Sequence, residues 1–161
     1  LLMISATFTG SIITSFENAL SRYVVLTAFI PMLMDTGGNA GGQVSAIIIR
    51  GLSLDEIEFG DWLTVVWKEI RTAALCGLTL ALCNFGRLLL LDKVSVQVAF
   101  VVCVTLFMAV VVAKIVGSTL PMLAKRIGMD PAVMASPFIT TIVDAISLLI
   151  YFRVAAVVLG L

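Results

Sequence analysis

Residues Val94 to Pro121 read VSVQVAFVVCVTLFMAVVVAKIVGSTLP, and the only formal charge in that run belongs to Lys114. A helix rises about 1.5 Å per residue and the hydrocarbon layer of a bilayer is about 30 Å thick, so about 20 mostly apolar residues cross it. This run is long enough. Working outward from it, four more segments share its character, at approximately residues 1–16, 23–49, 72–91 and 131–161. The first is read as a span that begins before Leu1. These five segments predict an all-α integral membrane fold with five transmembrane helices, forming one domain over residues 1–161 because every connection is short.

Composition supports this reading. Of the 161 residues, 61% are hydrophobic and 12% are charged, against about 45–50% and about 25% in an ordinary soluble domain. A soluble chain of this size leaves about a third of its surface exposed, too much for so few polar residues to cover, so the bilayer is the partner that completes the fold. Ten basic and ten acidic residues balance without a basic cluster, and nothing electrostatic points to nucleic acid. Histidine is absent, which removes the commonest general base and transition-metal ligand. Cys76 and Cys83 are seven helical positions apart, about 10 Å, too far to bridge. With Cys103 they read as packing thiols. Leu1 is not an initiator methionine and no basic stretch precedes the first apolar run, so a signal peptide is not the reading and the chain is taken as a piece of a longer protein.

The connections carry most of the charge. Arg50 to Arg71 is the longest, and within it Ser53-Leu54-Asp55-Glu56 has the spacing of a capping box, predicting a short interfacial helix. Trp62 and Trp67 follow and are read as markers of the headgroup layer. Lysine and arginine are slightly more numerous in the second and fourth connections, a bias that places the amino terminus in the cytoplasm. Lys114 is read as reaching the surface with its long stem; a salt bridge to an intramembrane acid is the alternative. No internal repeat is visible, which disfavours an inverted-repeat transporter.

Two acids stand inside spans, where a carboxylate costs at least about 2.5 kcal/mol. Asp144 lies on a face with Pro137, Thr140, Ser147 and Tyr151, while the rest of that segment is mostly apolar. Pro137 cannot donate a backbone hydrogen bond, so the carbonyl four residues earlier is expected to be free. Asp35, Asn39 and Gln43 form a second stripe at four-residue spacing, beside the glycine pairs 37/41 and 38/42 that permit close helix approach. These stripes line either a hydrophilic path or a polar seam between helices. Asp130, before Pro131, suits helix capping and ion binding equally.

Pro31…Gly37-Gly38-Asn39-Ala40-Gly41 with Gln43, followed by Asp130-Pro131…Ser136-Pro137…Thr140-Thr141…Asp144, resembles the MgtE magnesium channel family over essentially the whole chain. The resemblance implies a homodimer with its pore on the two-fold axis, lined by the second and fifth spans. It implies Mg2+ as the transported ion, with Asp144 coordinating it in the pore and Thr140, through its backbone carbonyl, and Asp130 contributing to ion sites. Pro31, Gly38, Asn39 and Ser147 are expected along the pore. It further implies a multi-pass protein of the cell (plasma) membrane, and a cytosolic amino-terminal region with cystathionine-beta-synthase-type domains that this chain lacks. No site is transferred to Asp35.

Two Asp144 carboxylates around one path suit a cation that sheds water reluctantly. The competing transport reading is a cation-coupled carrier, in which Asp144 or Asp35 takes up a proton or sodium ion. An intramembrane aspartyl protease is disfavoured because Ile142-Val143 precedes Asp144 where those enzymes have a Gly-x-Gly context, and the chain is not read as an enzyme. A purely structural anchor leaves the intramembrane acids without a purpose.

Overall fold

The computed structural model describes residues 2–134 and 137–160, and the regular elements among them are all helical. In order they are α1 (Leu2–Ser15), α2 (Glu17–Arg22), a 3-10 segment (Val24–Phe29), α3 (Ile30–Ser53), a 3-10 turn (Phe59–Asp61), α4 (Trp62–Leu90), α5 (Val96–Arg126), a 3-10 turn (Pro131–Met134) and α6 (Pro137–Leu159). The chain ends Leu1 and Leu161, and Ser136 of the quoted motif, lie outside the described residues.

Three helices are long and apolar enough to cross a membrane by length and composition: α4 with the turn before it, α5 and α6. The sequence reading expected five. α1 has 14 described residues, about 21 Å of helix. α3 has 24 residues, sufficient in length, but Asp35, Asn39, Gln43 and its glycines lower its hydropathy. The residues that make α3 interesting are the ones that weaken it as a simple span.

α5 is the hub, packing against α3, α4 and α6, and α3 packs on α6 in turn. One core gathers Leu26, Leu33, Val101, Val102, Leu106, Leu148, Tyr151 and Phe152. A second gathers Val44, Ile48, Leu52 and Met122, with Ile57 and Trp62 against them. The spacing of Val44, Ile48 and Leu52 is one helical face, and it carries α3 on to Ser53.

That extension overturns the expected capping box. Ser53 ends α3 and its hydroxyl donates back to the Ile49 carbonyl at 2.8 Å. The box forms later, where the Glu58 N–H donates to Asp61 Oδ2 at 3.0 Å and the Glu58 side chain accepts from the Asp61 amide. Between them Asp55 adopts a φ of 55°, which stops the helix. Lys125 holds the turn, donating to the Leu52 carbonyl at 2.5 Å and pairing with Asp55 at 3.0 Å.

Other boundaries moved for identifiable reasons. The second span was expected to be helical from Tyr23, but α3 begins at Ile30 with Pro31 in its first turn, where a missing N–H costs no bond. The 3-10 segment before it is held to α6 by the buried Tyr151, whose hydroxyl donates to the Leu26 carbonyl at 2.9 Å. The fourth span was expected to end at Pro121, yet α5 continues through it to Arg126. Pro121 deprives only the Gly117 carbonyl of a helical partner, and the surrounding helices support the chain there.

Two side chains behave differently from their sequence reading. Lys114 pairs with Glu69 of α4 at 3.1 Å, both side chains about seven-eighths buried (14% and 13% exposed), so it does not reach for the surface. Trp62 is half-buried and its indole N–H donates to Thr119 Oγ1 at 3.1 Å, where water was expected. Trp67 remains exposed.

Candidate functional site

The glycines of α3 set the geometry. A Cβ on Gly41 would lie 2.7 Å from Ile139 Cγ2 and 3.1 Å from the Ala113 carbonyl oxygen, and one on Gly37 would lie 2.8 Å from Val143 Cγ1. A Cβ on Gly117 would overlap the Gly41 backbone. Along one side of α3, the glycines therefore let α5 approach at backbone distance and let α6 seat its side chains against the α3 backbone.

With the glycines turned inward, the other side of α3 is open. Pro31, Asp35, Asn39 and Gln43 follow at four-residue spacing and all four are exposed. Next to them on α6, Ile139, Val143 and Leu148 turn into the core, while Thr140 and Asp144 are half-buried at the margin. Met34, Asp35, Gly38, Asn39, Thr140 and Asp144 together line an open recess of about 210 Å³. Gly38 lets the two walls meet, since a Cβ there would lie 3.2 Å from Thr140 Cγ2.

Asp35 and Asp144 thus border one recess, and neither forms an ion pair among the described residues. With the Asn39 amide and the Thr140 hydroxyl they make an oxygen-rich surface of the kind hard cations prefer. No group of three or more His, Cys, Asp or Glu able to hold a metal occurs among the described residues. One chain presents two carboxylates, which suits a cation that keeps much of its water.

The other expected residues fall elsewhere. Ser147 is fully buried against Gly37, and its hydroxyl has no hydrogen-bond partner among the described residues; it lies behind the recess. Tyr151 is likewise internal. Pro31 begins the open stripe of α3 but does not line the recess. Asp130 is exposed and away from it, its carboxylate accepting from the Ala132 N–H at 2.9 Å, a turn-capping contact. Pro137 is the first residue of α6 and follows the turn containing Val133, so it frees no helical carbonyl. Its own carbonyl accepts from the Thr140 and Thr141 hydroxyls at 3.2 and 2.6 Å. Because α6 runs unbroken onward, the Thr140 carbonyl lies within the helical ladder, opposite the Asp144 N–H. Asp35 received no role from the resemblance; its four-residue spacing to Asn39 and Gln43 was the signal that placed it.

Comparison with known proteins gives this surface a context. The family model MgtE, described as a divalent cation transporter, matches residues 30–154. That stretch starts with α3 and reaches into α6, so it contains both walls of the recess. The chain belongs to the MgtE family. A relative from Thermus thermophilus named magnesium transporter MgtE is 36% identical over 99% of this chain and 35% of its own length. Relatives of the same name are 34% identical in Bacillus subtilis, over 96% of this chain and 34% of their own, and 32% identical in Enterococcus faecalis, over 92% and 32%. The chain spans about a third of the length of these MgtE relatives. Membership in a transporter family and three apolar helices of spanning length make it a multi-pass membrane protein.

Proposed function

We propose that this chain forms the pore of a homodimeric magnesium channel, in which Mg2+ passes down its electrochemical gradient between the α3 and α6 faces of two copies. The observation that carries the reading is the pair of carboxylates without ion-pair partners among the described residues, Asp35 and Asp144, beside Asn39 and Thr140 in one polar recess between α3 and α6. Such a face is costly against lipid. A second copy across a two-fold axis shields it and surrounds one aqueous path with four carboxylates.

Magnesium as the ion is supported by the printed names of the relatives. It demands near-octahedral oxygen coordination and is commonly held by one or two carboxylates with several retained waters. In this mechanism the Asp144 carboxylates hold the hydrated cation electrostatically, and Asn39 and Thr140 exchange hydrogen bonds with its water shell. Asp35 adds negative charge to the same recess. α1 and α3 complete five spans in the plasma membrane with the amino terminus in the cytoplasm. Relatives about three times longer leave room for a cytosolic regulatory region outside this chain.

The decisive test is Mg2+ flux into liposomes containing the full-length protein. Asp144→Ala should abolish it while Asp130→Ala should retain most of it, and wild-type flux through Asp144→Ala would sink the assignment. Flux should follow the magnesium gradient alone. A requirement for a proton or sodium gradient would instead establish a coupled carrier.

A further inference from the structure

On α4, Lys68, Arg71, Thr72, Leu75 and Cys76 occupy one helical face and line an open trough of about 380 Å³. All five are exposed. The trough has a cationic end and an apolar end. The Thr72 hydroxyl donates to the Lys68 carbonyl at 3.0 Å, so the two cations are its available donors.

Neither cation has a carboxylate partner among the described residues. Glu69, the acid nearest to both in sequence, is committed to Lys114. It stands between Lys68 and Arg71 in sequence yet turns inward to α5. Two positive charges are left facing outward over an apolar groove.

Their depth suits a membrane surface. From Lys68 to Arg87 the chain advances 87 − 68 = 19 residues, a rise of about 28 Å, close to the hydrocarbon thickness of about 30 Å. Arg87 pairs with Asp92 at the far end, a polar contact fit for the opposite headgroup layer. The exposed Trp67 beside Lys68 also favours the interface.

We propose that this trough binds an anionic phospholipid, its phosphate held between Lys68 and Arg71 and one acyl chain laid along Leu75 and Cys76. Arginine presents a planar fork that meets phosphate oxygens in pairs, and lysine adds a mobile point charge. The proposal depends on α4 crossing the bilayer and not on which ion the protein carries.

The test is native mass spectrometry of the full-length protein in neutral detergent, titrated with phosphatidylglycerol or phosphatidylcholine. Phosphatidylglycerol should be retained preferentially, and Lys68→Ala/Arg71→Ala should weaken its binding about thirtyfold, the loss of two interfacial charges. Lys68→Arg should keep the affinity, and Lys93→Ala, at the other end of α4, should leave it unchanged. If the alanine pair does not fold, Lys68→Gln/Arg71→Gln carries the same expectation. Equal retention of the two lipids, undiminished binding by the double variant, or equally strong binding of inorganic phosphate alone would each overturn the proposal.

Discussion

Tyr151 and Lys114 show how single polar atoms are handled in an apolar body. The buried Tyr151 hydroxyl donates to the Leu26 carbonyl of the 3-10 segment, fastening the entry of α3 to α6. Tyr151→Phe removes that buried bond, so the thermal unfolding midpoint in detergent should fall by the equivalent of about 1 kcal/mol. An unchanged midpoint would show that the fastening is dispensable. Lys114 and Glu69 are nearly buried, and removing one partner strands the other charge. Lys114→Met should therefore cost about 3 kcal/mol or more, and Lys114→Met/Glu69→Leu should recover most of it, because an apolar pair needs no desolvation. Equal stability of the single and double variants would contradict that account.

At the scale of elements, the close crossing of α3 with α5 and α6 depends on glycine at particular places and not on glycine in general. Gly41 and Gly117 face each other at backbone distance, whereas a Cβ on Gly86 of α4 meets nothing within 4 Å. Gly117→Ala should destabilise the fold by about 1–3 kcal/mol, the usual cost of forcing extra volume into packed helices. Gly86→Ala should be neutral or slightly stabilising through helix propensity. Unfolding in a mild detergent compares the two directly, and similar effects would mean that the crossing is looser than described. The crossing also determines which residues of α3 remain outside: with glycines consumed by packing, the Asp35, Asn39 and Gln43 stripe has nowhere to turn but outward.

For the whole molecule, the arrangement leaves one polar recess between α3 and α6, and apolar surface along α4. In the proposed dimer the recess faces water and the α4 surface faces lipid. In a variant lacking Cys76, Cys83 and Cys103, Asn39→Cys and Gln43→Cys should react with a membrane-impermeant thiol reagent. Leu75→Cys, facing lipid, and Ser147→Cys, buried behind the recess, should react at least about tenfold more slowly, as an uncharged and unhydrated thiol does. Comparable rates at all four positions would exclude an aqueous path along this face.

Membrane class was legible in sequence because the hydrophobic requirement of a bilayer is met residue by residue along a helix, and Val94–Pro121 meets it without help from any neighbour. The polar stripes were legible for the same reason, since four-residue spacing is a local property of one helix. What the local pattern did not decide was which stripe residue faces which surface. Thr140, Asp144, Ser147 and Tyr151 share one approximate face of α6, yet the first two border the recess and the last two are buried, because α3 covers that face only partway. The Glu69 partner of Lys114 and the passage of α5 through Pro121 were hidden likewise: each depends on which helix lies alongside. Sequence alone determined the solvent and the supply of polar oxygen groups within it, and tertiary packing decided that Asp35 and Asp144, from separate helices, border the same opening.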